Sequence, residues 1–118
     1  MRDAFIESLS KIAENDEDVF LITGDLGFGV LDNFAEKFPS QFLNVGVAEQ
    51  NMTGMATGLA LSGYKVFTYS IANFTTLRCL EQIRNDACYH NANVNVVSIG
   101  GCLLYTSPSP RDVLRSRM

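Results

Sequence analysis

Glu49 is the acidic side chain whose surroundings most invite a chemical role. It follows a short apolar run and lies within the segment NVGVAEQNM, residues 44–52. Gly46 lets the chain turn off a strand. Glu49 then falls in the first turn of a helix, where the helix dipole stabilises a carboxylate by about 0.3–1 kcal/mol. This local pattern fits a purely structural acid at a helix start as well as a carboxylate that takes part in chemistry.

Two aromatic side chains, Tyr69 and Phe74, lie where the next strand-like run ends. Either of them could simply pack in the core or at the edge of a sheet. An aromatic ring beside a crevice could equally hold a planar heterocycle, since aromatic pairs contribute about 0.5–1.5 kcal/mol beyond the area they bury. Spacing alone does not choose between these roles.

Asp25 belongs to a third candidate segment, TGDLGFG, residues 23–29. Its glycines suggest a phosphate cradle, but their order is G-x-x-G-x-G and no Gly-Lys-Ser/Thr sequence follows. Asp25 would also repel a phosphate, so neither a P-loop nor a dinucleotide-binding fingerprint is met. A flexible connection from strand to helix explains this segment equally well.

Composition excludes several classes of function. A chain of 118 residues with 47% hydrophobic content accommodates one small domain. The net charge is -4 and no stretch is rich in Lys or Arg, so a nucleic-acid partner is not expected. No apolar run approaches the roughly 20 residues that span a bilayer, and the N-terminus carries acids where a signal peptide is apolar. We therefore expect a soluble, cytoplasmic protein.

Histidine and cysteine chemistry has little support. His90 is the only histidine, and the cysteines form no C-x-x-C pair. This pattern favours reduced thiols over a disulfide framework and gives no metal site. A hydrolase site would have to be built around His90 alone, whereas a histidine near a helix end commonly satisfies terminal carbonyls.

An alternation of helical and strand-like patterns must position the candidate side chains. The spacing predicts helices over residues 4–14, 31–38, 48–62 and 75–90, and strands over residues 19–23, 42–45, 65–70 and 94–99. Strict alternation implies an α/β fold with an open parallel sheet and helices on both faces. Ligands bind such sheets beyond the carboxyl ends of the strands, where all three candidate segments would lie. Gly54 and Gly58, four apart in the third helix, predict a close neighbour on that side.

The character of the chain changes near Gly101. Residues 1–101 hold six Lys/Arg and twelve Asp/Glu, whereas residues 102–118 hold three and one, with repeated Ser-Pro. A native Pro-rich tail is one explanation. The run CLLYTSPSPRD resembles translated adapter sequence, and we favour that explanation. We therefore expect a domain over 1–101, a non-native or disordered tail over 102–118, and a gene that continues differently past Gly101.

Three segments together carry a resemblance to a known family. They are GDLGFGV, NVGVAEQNMTGMATGLALSGYKVFTYS and LRCLEQIRNDACY. They resemble the pyrimidine-binding domain shared by transketolase and 1-deoxy-xylulose-5-phosphate synthase, and most closely the C-terminal subunit of split transketolases. The resemblance spans residues 1–101. Its most specific part is the GVAEQ segment after a short strand, followed by a helix of small residues and a Gly-Tyr-Lys strand entry.

The resemblance implies roles for the candidate residues. In these enzymes the glutamate matching Glu49 hydrogen-bonds the N1′ nitrogen of the thiamine diphosphate aminopyrimidine and promotes its imino form. Phe74 is the candidate for the aromatic contact with the pyrimidine ring, although the spacing in this loop departs from the family, so Tyr69 is a rival. Asp25 matches an acidic position near the thiazolium and the subunit interface.

The resemblance also implies a partner, since the family holds the diphosphate and its Mg²⁺ with a GDG-type motif of another domain, and this sequence has no such motif. We expect a diphosphate-binding N-terminal transketolase subunit as partner, in a dimer or heterotetramer, and inactivity of this chain alone. The expected reaction transfers a two-carbon ketol unit between sugar phosphates. A deoxyxylulose-phosphate synthase-like subunit, a 2-oxoacid dehydrogenase beta-like subunit, and a nonenzymatic α/β interaction or ligand-binding module are the alternatives.

Overall fold

The computed structural model describes residues 1–100. The segment 102–118, for which we predict a separate origin, lies outside the described residues. The helices are α1 (Arg2–Ala13), α2 (Asp32–Lys37), α3 (Glu49–Leu61) and two short ones, α4 (Ala72–Thr75) and α5 (Leu80–Gln82). The strands are β1 (Val19–Thr23), β2 (Phe42–Asn44), β3 (Lys65–Ile71) and β4 (Val94–Ile99). No helix within this part of the chain is long and apolar enough to cross a membrane.

The four strands form one parallel sheet in the order β2-β1-β3-β4. Ile22 of β1 lies opposite Leu43 of β2 on one side and Thr68 of β3 on the other, which fixes the register across the centre. Since all four strands run the same way, their carboxyl ends meet at one edge of the sheet, and the loops after β1, β2 and β3 meet there too. The predicted open parallel sheet is confirmed.

Alternation along β1 builds two cores, one on each face of the sheet. Val19 and Leu21 face α1 and α2 and pack in a cluster that includes Leu9 and Phe34. Burial of each such side chain contributes about 1.5–3 kcal/mol before the entropy cost of ordering it. Because successive side chains of a strand point to opposite faces of the sheet, α1 and α2 cover the face to which Val19 and Leu21 point.

The opposite face of the sheet is covered by α3. Ile22 and Val66 pack against Met52 and Ala56, and all four side chains are fully buried. The sequence predicts a close neighbour beside Gly54 and Gly58 of α3. This prediction is wrong for the described residues, because a Cβ at either glycine would meet nothing within 4 Å. Both glycines lie on the side of α3 that faces away from this core.

The predicted helix over residues 75–90 is wrong in its continuity. The chain instead forms α4, a 3-10 turn at Leu77–Cys79, α5 and a π-helical segment at Ile83–Cys88. The break falls at Thr76, whose φ of -110° and ψ of -84° are not helical. The Thr76 hydroxyl donates to the carbonyl of Ala72, as Thr53 and Thr57 do to the carbonyls four residues back in the unbroken α3, so this bond alone does not explain the break.

Candidate functional site

Glu49 is the first residue of α3, at the carboxyl edge of the sheet. The chain reaches it from β2 through Gly46, whose φ of +76° favours glycine. Gly24, just after β1, faces the glutamate closely: a Cβ at Gly24 would lie 3.4 Å from the Glu49 Cγ. Glu49 is consequently 3% exposed although it begins a helix.

The two carboxylate oxygens of Glu49 have different surroundings. Oε2 accepts a hydrogen bond from Nη1 of Arg78 at 3.2 Å. Oε1 is buried and has no hydrogen-bond partner among the described residues. Leaving a buried polar atom unpartnered costs about 1–3 kcal/mol, and more when the group is charged. An unpartnered oxygen at a sheet edge is therefore a position where a ligand's donor would be stabilising.

Phe74 and Arg78 form the aromatic side of this site. The Arg78 guanidinium carbon lies 4.0 Å from the centroid of the half-buried Phe74 ring. One guanidinium thus contacts both the Phe74 ring and the Glu49 carboxylate, which places these two predicted site residues together. Sequence reasoning missed Arg78, and its only signal was a cation four residues after the candidate aromatic on a segment expected to be helical.

An open pocket of about 430 Å³ lies in front of Glu49. Its lining residues come from the start of α3 and from the turn after α4: Val47, Ala48, Glu49, Gln50, Asn51 and Arg78. Gln50 links the two segments that line the pocket, because its Nε2 donates to the backbone carbonyl of Arg78 at 3.1 Å. The pocket therefore joins two loops that follow different strands.

Asp25 lies at the same sheet edge but on its exposed rim. Its backbone N–H donates to Oδ1 of Asn44 at 2.9 Å, and the Asn44 Nδ2 donates back to Oδ1 of Asp25 at 3.2 Å. The Asn44 Oδ1 also accepts from the N–H of Gly46 at 3.0 Å. Asn44, at the end of β2, is a second residue that sequence reasoning missed. It ties the loop that carries Asp25 to the loop that leads into Glu49.

Tyr69 lies away from this group. It is fully buried with the α1 and α2 side chains, on the sheet face opposite to the one α3 covers. Its ring stacks on Phe5 with centroids 6.1 Å apart, and burial raises the pKa of its phenol. The structure therefore brings Phe74, and not Tyr69, close to Glu49.

Among the described residues, the remaining titratable groups form no further centre. No group of three or more His, Cys, Asp or Glu that could hold a metal ion occurs within residues 1–100. Nδ1 of His90 lies 2.8 Å from the carbonyl of Asp86, the helix-end contact expected for it. Cys79 is a buried free thiol whose pKa is raised by burial, and Cys88 is an exposed free thiol.

Comparison with known families and proteins matches this architecture. The family described as transketolase, pyrimidine binding domain, matches residues 1–106. One of the subunits of the apulose-4-phosphate transketolase of Phocaeicola vulgatus is 38% identical over 105 residues, which are 88% of this chain and 34% of the relative. The 1-deoxy-D-xylulose-5-phosphate synthase of Halalkalibacterium halodurans is 40% identical over 91 residues, 76% of this chain and 14% of the synthase.

A solved structure described as a split gene transketolase, inactive beta4 tetramer, superposes with a TM-score of 0.75 at 34% identity. The match covers 82% of this chain and 33% of that one, so the chain spans about a third or less of these related proteins. The family match, the identity to the Phocaeicola vulgatus relative and the superposition agree with one another. The chain belongs to the transketolase pyrimidine-binding domain family.

Proposed function

We propose that this chain is the pyrimidine-binding part of a thiamine diphosphate-dependent transketolase subunit, with Glu49 activating the aminopyrimidine. The observation that carries the proposal is the buried Oε1 of Glu49, which has no partner among the described residues. A carboxylate enclosed in this way is costly to keep unless a ligand donates to it. Family membership makes the aminopyrimidine the ligand of first choice.

The residues at the site fit that part of the cofactor. A planar ring with nitrogen on its edge needs an acid at the edge and an aromatic or apolar surface at the face. Glu49 and Phe74 supply these two surfaces and are already bridged by a planar cation, the Arg78 guanidinium. When bound, thiamine diphosphate supplies the carbanion chemistry of ketol transfer.

The chain's own contribution is to hold a proton and to orient a ring. Oε1 is the atom at which Glu49 would share a proton with a ring nitrogen. The position of Glu49 as the first residue of α3 places this oxygen at the carboxyl edge, and its burial excludes water that would compete for the proton. A carboxyl group that transfers a proton from a fixed position typically accelerates a reaction by about 10²–10⁴-fold.

A second subunit or domain would complete the site. We propose that it binds the diphosphate and Mg²⁺, because the described residues offer no cluster of metal ligands. The apolar side chains of Phe28, Val47 and Leu77 are exposed on the segments that follow β1, β2 and β3, and the partner would cover them. Asp25, on the rim, would lie between the partner and the cationic thiazolium ring. The complete assembly would be a dimer or heterotetramer in the cytoplasm.

The proposed reaction is the transfer of a two-carbon ketol unit between sugar phosphates. The 40% identity to a 1-deoxy-D-xylulose-5-phosphate synthase keeps synthase chemistry as a second candidate. Cofactor activation at Glu49 would be common to both, so the donor that the enzyme accepts distinguishes them. Assay of the full-length protein with a sugar-phosphate ketol donor and, separately, with pyruvate identifies the reaction.

Cofactor retention tests the proposal without a known substrate. The full-length subunit is co-expressed with its candidate diphosphate-binding subunit and purified in thiamine diphosphate with and without Mg²⁺. We expect stoichiometric, Mg²⁺-dependent retention by the complex and a loss of retention by the Glu49→Ala complex. The exposed acid Glu36 provides the control, since Glu36→Ala should retain the cofactor. Absence of retention by the wild-type complex would contradict the proposal and favour a nonenzymatic module.

A further inference from the structure

Arg78 contacts both groups that the proposed pyrimidine ligand needs. Its Nη1 donates to Oε2 of Glu49 at 3.2 Å, and its guanidinium carbon lies 4.0 Å from the centre of the Phe74 ring. We propose that Arg78 is a built-in competitor for the pyrimidine subsite, which the guanidinium must leave before the ring can bind. This inference rests on the proposed function and adds a regulatory step to the same site.

The chemistry of the guanidinium explains why it can take this place. It is planar, carries N–H donors along its edge and presents a flat face to an aromatic ring. An aminopyrimidine has the same combination of a flat face and a nitrogen-bearing edge. The two groups would therefore compete for the face of the Phe74 ring, and each would also contact the Glu49 carboxyl group, the guanidinium at Oε2 and the ring at Oε1.

The backbone around Arg78 is held, whereas its side chain can move. The Arg78 carbonyl accepts a hydrogen bond from Gln50 Nε2 at 3.1 Å, and the thiol of Cys79 donates to the Phe74 carbonyl at 3.0 Å. The Arg78 side chain itself is 46% exposed, while that of Glu49 is 4% exposed. Rotation of the side chain would return the cation to water without any change in the backbone, so the competitor can leave while the walls of the site stay in place.

Competition of this kind lowers the apparent affinity for the ring. A ligand that binds only the open form loses affinity in proportion to the fraction of molecules that are open. A half-exposed ion pair together with a cation–π contact would favour the closed form by roughly 3- to 30-fold. Removal of the guanidinium should raise the affinity for an aminopyrimidine by the same factor.

The opposite role for Arg78 makes the opposite prediction. If the guanidinium stayed on Oε2 of Glu49 and merely oriented the carboxylate, the ring would have to bind beside it. Removal of Arg78 would then lower the affinity for the ring, because the carboxylate would lose its fixed orientation. The sign of the change in affinity therefore separates a competitor from an orienting residue.

The test titrates 4-amino-5-hydroxymethyl-2-methylpyrimidine into the full-length subunit in complex with its partner, by calorimetry. The variants are Arg78→Ala, Glu49→Gln, and Arg84→Ala, which removes a cation from the neighbouring π-helical segment outside the pocket. We expect about 3- to 30-fold tighter binding for Arg78→Ala, weaker binding for Glu49→Gln, and unchanged binding for Arg84→Ala. If Arg78→Ala binds the pyrimidine as well as wild type or more weakly, Arg78 is not a competitor. The proposed function still stands in that case if Glu49→Gln weakens binding. If no protein binds the pyrimidine, both proposals fail.

A second measurement needs no variant and holds even if Arg78→Ala does not fold. Crystal structures of the wild-type complex with and without the pyrimidine should differ at one side chain. We expect the Arg78 guanidinium on the Phe74 ring without ligand, and in solvent with the pyrimidine in its place. A guanidinium that keeps its contact with Phe74 beside the bound pyrimidine would overturn the inference.

Discussion

Gly24 is the position where a small change should separate fold stability from the placement of Glu49. The backbone there does not have a positive φ, so side chains are tolerated conformationally. A Cβ would lie 3.4 Å from the Glu49 Cγ and 3.4 Å from the Gly46 carbonyl oxygen. Both distances are ordinary van der Waals contacts. Gly24→Ala should therefore leave Glu49 in place and raise the free energy of unfolding by about 0.4–1 kcal/mol, because alanine restricts the unfolded chain.

Valine at the same position should have the reverse effect. It adds two carbons about 1.5 Å beyond the Cβ, so a carbon directed at either neighbour would approach it to roughly 2 Å. Relief of that overlap requires Glu49 or the loop at Gly46 to move by about 1 Å, which costs about 1–3 kcal/mol of stability. A displacement of this size in a catalytic group lowers activity by about 10²-fold.

The assay compares thermal unfolding and turnover for wild type, Gly24→Ala and Gly24→Val in the complete complex. Alanine serves as the matched control, because it changes the same backbone position without reaching the carboxylate. We expect near-normal turnover for alanine and about a 10²-fold loss for valine. Equal turnover in the two variants would refute the claim that activity depends on the position of the Glu49 carboxylate.

Three further predictions concern the buried phenol and the thiols. Tyr69→Phe should raise the free energy of unfolding by about 1 kcal/mol, measured by urea denaturation, because the phenol oxygen is buried without a partner among the described residues. If this variant keeps its affinity for the cofactor, Tyr69 is excluded from the site. A loss of affinity would make Tyr69 a site residue again. Cys88 should react with a disulfide reagent in the folded protein, and Cys79 should react only on unfolding. Peptide mapping identifies which thiol is labelled, and rapid labelling of Cys79 would contradict its burial. Because burial raises the pKa of the Cys79 thiol above its ordinary value of 9.0, the stability that the neutral thiol contributes is fully present below about pH 9 and is lost as pH rises through the folded-state pKa.

Periodicity was sufficient to predict the sheet and most of its helices. The apolar run of β1 and the spacing of Leu31, Phe34 and Phe38 carry enough burial to fix a strand and a helix locally. The helix expected over residues 75–90 is interrupted at Thr76, whose backbone dihedrals are not helical. The apolar spacing of this segment carries no signal for that interruption.

The site was partly predictable for a different reason. Glu49 stands out because a glycine turn and a helix start coincide there, and the family resemblance gave that acid a role. The contacts of Asn44 and Arg78 join loops 19 and 29 residues apart in the chain, so they arise only when the carboxyl ends of the strands meet. For the same reason, sequence spacing could not separate Phe74 from Tyr69, whereas strand alternation in the folded sheet puts Tyr69 on the opposite face.

The most direct test of the central claim is the rate of hydrogen–deuterium exchange at the thiazolium C2 of thiamine diphosphate bound to the complete complex. The comparison is between wild type, Glu49→Gln, and Glu81→Gln, an exposed acid outside the pocket that serves as control. Glutamine keeps the size of the side chain but cannot hold the shared proton, so we expect exchange to slow by about 10²–10⁴-fold in Glu49→Gln with an unchanged unfolding temperature. Exchange within a few-fold of wild type, with cofactor bound, would show that Glu49 does not activate the aminopyrimidine.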